Sequence, residues 1–198
     1  MASELHTAAL DQLFRTARTY NDWSDKAVDE RTVHDLYNLL KWGPTSANCC
    51  PGRFVWVRSA AGKAQLASLA METNRAKILA APLTVIIGYD LSFPETLPRL
   101  FPFRGEMMKQ MFVQQPALAE ATAMRNGSLQ GAYLIIAARA LGLDCGPMSG
   151  FDNPGVDKAF FAGTPIKSNF ICSIGYGKPE SAYPRSARLS LEETGRFA

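Results

Sequence analysis

The chain has 198 residues, 47% of them hydrophobic, and its 21 basic and 18 acidic residues leave a net charge of only +3. This length and composition suit a single domain, residues 1–198, whose basic residues are too scattered to predict a nucleic acid partner. No apolar run approaches the roughly 18 residues that cross a bilayer, and the first residues lack a signal-peptide pattern, so we expect a cytoplasmic protein with no membrane partner.

Three stretches have the apolar periodicity of helices: Leu5 to Ala17, Asp29 to Trp42 and Ala117 to Leu143. The second begins with acidic residues, which the helix dipole favours in a first turn. The third is the longest, and Gly142 and Gly146 close its end. Its recurring apolar residues predict a central, mostly buried helix: Leu118, Met124, Leu129, Leu134, Ile135, Ala138 and Leu141.

Three short runs rich in β-branched and aromatic residues predict strands: Phe54 to Val57, Pro82 to Tyr89 and Asn169 to Tyr176. Between the last two lies Leu91 to Pro116, which holds four of the twelve prolines and several phenylalanines. A loop or short-helix excursion this apolar is more typical of a pocket lid or an interface segment than of a free linker. The order of elements predicts an α+β sandwich with helices around a small sheet.

Basic residues near both ends of the chain form candidate phosphate sites. Arg18 and Thr19 follow the first predicted helix, where a guanidinium, a hydroxyl and backbone N–H groups could bind a phosphate. Arg185 and Arg188 lie in the tail, and they form a second clamp only if the tail folds back onto a body, its own or a partner's. The alternative is that these residues are solvated surface groups.

The segment from Trp42 to Pro51 combines a helix stop with hydrogen-bonding side chains. Thr45, Ser46 and Asn48 offer short donors and acceptors on a constrained turn, as a ligand with many carbonyls and ring nitrogens requires. The alternative is a capped loop whose side chains bond their own backbone.

The segment from Gly142 to Asp152 holds small residues at which a flat ligand could approach the backbone. Gly146 and Gly150 permit that approach, and the N–H groups of Ser149 and Gly150 could donate to a ring nitrogen. A tight connection between a helix and a strand is the alternative, and Met148 is of a type that more often fills a core.

Several other chemistries lack the residues that they need. Four cysteines are too few for a disulfide scaffold, and Cys49 and Cys50 are adjacent, so we expect reduced thiols. Two histidines without a CxxC or HExxH pattern give no zinc ligand set, so no metal is expected. There is no GxSxG and no Walker motif for acyl or phosphoryl transfer.

Taken in order, these segments resemble the nitroreductase family of FMN enzymes over nearly the whole chain. Residues 17–23, followed by residues 25–28, resemble the family's opening Arg-Arg-Ser-x-Arg-x-Phe and Asp-Lys-Pro-Val. Residues 43–52 are similar to Ala-Pro-Ser-x-x-Asn-x-Gln-Pro-Trp, and residues 147–152 to Pro-Met-Gly-Gly-Phe-Asp. The two tail arginines resemble the closing basic pair.

The resemblance implies a three-layer α+β sandwich, with a small, mainly antiparallel sheet flanked by helices, that works as a homodimer. It implies FMN as the cofactor and NADPH or NADH as the co-substrate, with no side-chain nucleophile because flavin N5 carries the hydride. The residues implied to bind FMN are Arg18, Thr19, Asn21, Pro44, Thr45, Ser46, Asn48, Pro147, Met148, Ser149, Gly150, Arg185 and Arg188. Family sequences usually have a cation at Asn21 and a glutamine at Cys50, which leaves open how negative charge at flavin N1 and O2 is stabilised here.

Residues 43–49, 146–152 and 174–177 together are similar to the branch of malonic semialdehyde reductases in bacterial pyrimidine degradation. That branch implies reduction of 3-oxopropanoate to 3-hydroxypropanoate. A broad nitro- or quinone-reducing flavoenzyme and a non-catalytic flavin-binding protein remain alternatives. No sequence fingerprint decides between NADH and NADPH.

Arg104 is the first candidate for binding the carboxylate of such an acceptor. It lies among aromatic residues, Phe101-Pro102-Phe103-Arg104-Gly105, where a low dielectric would strengthen an ion pair. A buried carboxylate needs a cation because an unpaired buried charge is costly. Arg99 offers a second cation in the same segment. The alternative is that Arg104 is exposed and the phenylalanines fill an interface.

Overall fold

The computed structural model describes residues 3–198 and is built around one four-stranded antiparallel sheet. Its strands, in the spatial order β1-β2-β4-β3, are β1 Gly52–Val57, β2 Leu83–Asp90, β3 Asp144–Met148 and β4 Ile166–Gly175. Strands β1, β2 and β4 overlap the three predicted runs. Strand β3 is absent from the prediction because Gly146 and Pro147 are poor strand formers. It is an edge strand of the sheet, paired with β4 on one side and bridged at Cys145 by Thr19 on the other, and an edge position tolerates the missing N–H of Pro147.

Nine α-helices, all within residues 3–198, surround the sheet. They are α1 Thr7–Leu10, α2 Glu30–Leu40, α3 Ala60–Ser68, α4 Glu72–Ala80, α5 Leu97–Leu100, α6 Gly105–Gln114, α7 Pro116–Ala140, α8 Asn153–Phe160 and α9 Leu191–Thr194. A π-helical turn, Asp11–Arg15, continues α1, and 3-10 turns form at Ser46–Asn48, Phe93–Thr96 and Pro179–Ser181. None of the helices over the described residues has both the length and the apolar character needed to cross a membrane.

The helices cover both faces of the sheet, so the molecule has three layers. Helices α2 and α7 pack on the face that carries Val85, Ile87 and Cys172. Helices α3, α4 and α8 pack on the opposite face, which carries Ile86 and Ile171. The faces alternate along β2 and β4 because successive side chains of a strand point in opposite directions. The predicted three-layer α+β sandwich is therefore confirmed.

The predicted helices differ from the observed ones mainly at their ends. Helix α2 begins as expected, with Asp29 at its N-cap accepting the Thr32 N–H at 2.7 Å, but it ends at Leu40 rather than Trp42. The first predicted helix stops at Arg15, after its π-helical turn. Such endings follow from local backbone geometry that apolar periodicity does not report.

The segment from Leu91 to Pro116 is helical rather than an open loop. Its 3-10 turn and helices α5 and α6 bury Phe93, Leu97 and Phe112 against Ala119 and Ala123 of α7. The rings of Phe93 and Phe112 meet edge to face, with centroids 5.0 Å apart. Pro94 and Pro98 therefore lie in the first turns of short helices, whereas Pro116 begins the long helix α7 and Pro102 lies in a turn. The phenylalanines at positions 93 and 112 are core residues.

Helix α7 lies unusually close to the sheet because its inner face is made of small residues. A Cβ atom at Gly131 would lie 2.5 Å from the Phe170 ring of β4, and one at Gly127 would lie 3.0 Å from Cβ of Tyr89 in β2. By contrast, Leu118, Met124 and Leu129, which periodicity predicts to be buried, are between 41% and 52% exposed. The prediction of the buried face is thus wrong in part, because these large side chains lie at the surface, whereas mostly small residues of α7 contact the sheet.

We predict that Gly131→Ala lowers the free energy of unfolding by about 1–3 kcal/mol, the usual cost of overpacking a core. At an open helical position the same change is stabilising by roughly 0.5–1 kcal/mol, since alanine is the better helix former. Urea unfolding measures the difference. In a Phe170→Leu background, where the ring is gone, most of the penalty should disappear; a stabilised single variant would contradict the close approach.

Candidate functional site

The loop between α2 and β1 has a strained backbone. Ala47, Asn48 and Cys50 all have positive φ angles, of 50°, 52° and 41°, although none is glycine. Each such residue costs on the order of 1–3 kcal/mol, and strain of this kind clusters at functional sites. The surrounding structure must therefore hold the loop in place.

Two buried amide side chains on α7 hold this loop. The Ser46 N–H donates to Asn126 Oδ1 at 2.8 Å, and the Gly52 N–H donates to Gln130 Oε1 at 2.6 Å. Asn126 is fixed in turn, because its Nδ2 donates to the Thr122 carbonyl at 2.8 Å. The two amides lie four residues apart, on successive turns of one helix face. Neither amide was predicted to be functional from the sequence, although two amides at helical spacing inside an apolar pattern are a detectable signal.

The predicted ligand side chains of the loop are partly used within the loop itself. The Cys50 N–H donates to Thr45 Oγ1 at 3.2 Å, and Asn48 Nδ2 donates to the Leu100 carbonyl at 2.9 Å. Pro44, Ser46 and Asn48 are nevertheless exposed. The alternative of internal capping thus describes part of the loop, while its rim stays open to a ligand.

The structure brings the two predicted phosphate segments together in one cleft of about 520 Å³. Arg18, Thr19 and Asn21 line it together with the tail residues Arg185 and Arg188. Lys77 of α4 and Arg139 of α7 add two cations that the sequence analysis did not identify. The lining formed by the described residues therefore contains five basic side chains and no carboxylate, which favours an anion.

The tail folds back onto its own chain, as a second clamp requires. Arg18 donates to the Tyr183 carbonyl, and Arg185 Nη2 donates to the carbonyls of Arg15 and Ala17 at 2.7 and 2.9 Å. Arg188 instead donates to carbonyls of its own tail, at 3.0 and 3.1 Å. The first three of these bonds connect the end of the first helical segment to the tail. The two connected segments form the two walls of the cleft.

The segment after β3 presents backbone donors beside α4. The N–H groups of Ser149 and Gly150 have no acceptor among residues 3–198, while the Gly150 carbonyl accepts from the Met71 N–H at 2.9 Å and from Asn74 Nδ2 at 3.1 Å. A Cβ at Gly150 would lie 2.6 Å from Met71 Sδ and 2.9 Å from Asn74 Nδ2, so a larger residue there would have to displace these two side chains. Pro147 is exposed, whereas the Met148 side chain is buried in the core.

Arg104 lies outside these clusters. It precedes α6, its side chain is exposed, and the neighbouring Phe103 is 93% exposed. In the isolated chain the surroundings of Arg104 are thus solvent rather than the aromatic pocket expected from its neighbours.

Burial perturbs two ionisable groups near the loop and β3. Burial raises the pKa of the Cys49 thiol to about 11, so this thiol stays protonated. Burial also raises the pKa of the Asp144 carboxyl, which accepts the Gly177 N–H at 2.9 Å. Both groups are structural in their present contacts.

The sandwich, the cleft and the loop together define a known class of fold. A provisionally named nitroreductase from Bacillus subtilis superposes with a TM-score of 0.87 at 20% identity, over 98% of this chain and 100% of that one. A provisionally named nitroreductase from Exiguobacterium sibiricum, solved in complex with FMN, gives 0.81 at 18% identity over the whole of both chains. These identities establish the fold alone.

The chain belongs to the nitroreductase family, whose profile matches residues 15–178. It is 59% identical to a Caulobacter protein over 98% of this chain and 99% of that protein, and 57% identical to one from Xanthomonas oryzae over the full length of both. Both relatives carry the provisional name NADH dehydrogenase/NAD(P)H nitroreductase. The family resemblance read from the sequence is confirmed.

We predict that Asn126→Leu lowers the free energy of unfolding by about 1–3 kcal/mol, because the Ser46 N–H then loses its acceptor in a strained loop. The matched control is Arg125→Leu, the preceding and exposed residue, which should change stability by no more than about 0.5 kcal/mol. Chemical denaturation measures both. Equal effects at the two positions would show that α7 does not hold the loop through this amide.

Proposed function

We propose that the protein is an FMN-dependent NAD(P)H oxidoreductase that acts as a homodimer. The observation that carries this proposal is the cleft whose described lining has five basic side chains and no carboxylate. The FMN bound to the Exiguobacterium neighbour and the names of the 57–59% identical relatives support the same cofactor and co-substrate here. Four unbridged cysteines agree with a reducing cytoplasm.

The donor set of the cleft fits the phosphate end of FMN. A phosphate monoester carries nearly two negative charges at neutral pH, and guanidinium groups can bind two of its oxygens at once. Arg18, Arg185 and Arg188 supply guanidiniums, and Thr19 supplies a hydroxyl. The same clamp leaves no evident place for an adenosine, so FMN is expected rather than FAD.

The rest of the cleft and its surroundings suit a flavin ring. Ser149 and Gly150 offer two unsatisfied N–H donors, and Pro147 precedes them on the exposed edge. Asn21 stands where relatives of the family usually have a cation, but Lys77 lines the same cleft. We infer that Lys77 provides the positive charge for the N1 and O2 side of the ring.

When bound, the flavin supplies the redox chemistry, accepting a hydride from NAD(P)H and delivering it to the acceptor. The chain's own residues bind the phosphate, orient the ring and leave one face open to both substrates in turn. No side chain need act as a nucleophile, in keeping with the high pKa of Cys49.

A homodimer explains an exposed apolar surface formed by α2 and α7. Its large residues are Tyr37 and Trp42 near the end of α2, and Leu129 and Tyr133, which lie one turn apart on the same side of α7. Such a surface is typical of a subunit interface. The strained loop follows Trp42 directly, so in a dimer formed through this surface Pro44, Thr45, Ser46 and Asn48 would reach the cofactor of the partner subunit.

The proposed acceptor is 3-oxopropanoate, reduced to 3-hydroxypropanoate as in pyrimidine degradation, on the strength of the sequence resemblance to that branch. Its carboxylate requires a cation, and Arg104 can serve only if the partner or a closing movement covers it. The names of the relatives favour a second candidate, a broad nitro or quinone reductase.

We predict that Arg18→Ala weakens FMN binding by about 1.5–3 kcal/mol, the range for hydrogen bonds to charged groups. Quenching of flavin fluorescence during titration of the apoprotein measures the dissociation constant. Arg15→Ala is the matched control, because the Arg15 side chain pairs with Asp11 at 3.3 Å and does not line the cleft. An unchanged affinity, or released cofactor that chromatographs as FAD, would refute the phosphate clamp.

We predict that, with NADPH as the reductant, kcat/KM for 3-oxopropanoate exceeds that for a neutral benzoquinone by about tenfold or more, since one charged contact is worth that much. Steady-state oxidation of NADPH, followed at saturating FMN, gives both values. Equal or higher efficiency with the quinone would favour the broad reductase, and no oxidation of either NADPH or NADH with any acceptor would favour a flavin-binding protein.

A further inference from the structure

A second cavity, of about 490 Å³, lies beside the strained loop at the β1 edge of the sheet. Its wall includes Phe54 and Trp56, whose rings stack with centroids 6.0 Å apart. Cys50 of the loop and Thr96 of the following 3-10 turn add polar groups to the wall. The cavity also contains two guanidinium groups, those of Arg53 and Arg99. Cavities of this size commonly bind small molecules.

The two guanidiniums differ in what they bind. Arg53 Nη2 pairs with Asp90 Oδ2 at 2.6 Å, and its Nη1 donates to the carbonyls of Cys50 and Gly52 at 3.1 and 3.0 Å. Arg53 is therefore neutralised and its donors are largely used. Arg99, near the end of α5, has no ion pair and no hydrogen-bond acceptor for its side chain among residues 3–198. The cavity thus carries one uncompensated positive charge.

A hydrogen bond fixes the position of α5, and with it Arg99, relative to the strained loop. Asn48 Nδ2 donates to the carbonyl of Leu100, the next residue along α5, at 2.9 Å. Cys50, two residues after Asn48, lines the same cavity as Arg99. The cation therefore lies next to the loop that would meet the flavin of the partner subunit, whereas Arg104 does not line this cavity.

We propose that Arg99 binds the carboxylate of the acceptor and thereby selects short oxo acids over neutral acceptors. The inference rests on the proposed function, which supplies the flavin beside the loop. A guanidinium binds a carboxylate through two parallel hydrogen bonds. The stacked rings of Phe54 and Trp56 give the cavity an apolar wall that suits the short carbon chain. Arg99 is then a specificity-determining residue, and Arg104 is the alternative candidate for binding the carboxylate.

The test uses the FMN-loaded protein and malonate, a dicarboxylate that resembles 3-oxopropanoate but cannot be reduced in its place. Isothermal titration of malonate should show binding that is weaker by about tenfold or more in Arg99→Gln. Arg99→Lys should recover part of it, because the charge is kept. Arg31→Gln is the matched control, since Arg31 on α2 is 91% exposed and lies away from the cavity.

Steady-state kinetics of the same variants complements the malonate titration. Arg99→Gln should raise KM for 3-oxopropanoate by about tenfold while leaving KM for a benzoquinone within about twofold. Unchanged malonate affinity in Arg99→Gln, or a loss of affinity in Arg104→Gln instead, would overturn the assignment of Arg99 but not the proposed function. Failure of the parent protein to bind FMN would overturn the proposed function instead, so the two failures are distinguishable.

Discussion

The close approach of α7 to the sheet is the constraint on which the site depends. Glycine at positions 127 and 131 lets the helix lie where a single Cβ would collide with Tyr89 or Phe170. Only at that distance can the buried amides of Asn126 and Gln130 accept N–H groups from both ends of the loop before β1. The loop can then keep three non-glycine residues in the left-handed region, because its strain is offset by hydrogen bonds to two buried amide side chains.

The positive charge of its lining suits the cleft to binding anions. Its five cations come from four separate parts of the chain: the end of the first helical segment, α4, α7 and the tail. Like charges gathered without a carboxylate repel one another, so the folded state gains most from an anion bound at this place. An anionic cofactor that binds only the folded chain would therefore stabilise it by an amount that grows with the logarithm of its concentration, once that concentration exceeds the dissociation constant. Helix α4 links the two halves of the site, since its first residues hold Gly150 and its Lys77 lines the cleft.

Many of the elements of the fold and several residues of the candidate site could be predicted from the sequence, and the exceptions have physical causes. Periodicity located α2, α7 and three strands, and the resemblance predicted that Arg18, Arg185 and Arg188 share one site region, which the structure brings together. Periodicity misjudged α7 because it weighs large apolar residues, whereas the inner face uses glycine and alanine. Strand β3 was missed because an edge position overrides the poor propensities of Gly146 and Pro147. Lys77 was missed because a lysine on a helix ordinarily faces solvent, and only tertiary contacts place it at the cleft. Asn126 and Gln130 were missed although their helical spacing inside an apolar pattern is a signal that the sequence carries.

The central proposal is that, in a homodimer, each site combines the cleft of one subunit with the loop of the other. Complementation between two defective chains tests it most directly: one chain carries Arg18→Glu in the cleft, and the other carries Ser46→Trp on the exposed rim of the loop. Each variant alone should bind FMN poorly. A purified heterodimer of the two should regain one tight site per dimer, because one of its two sites joins an intact cleft to an intact loop. A heterodimer that binds no better than its parents would contradict the shared site.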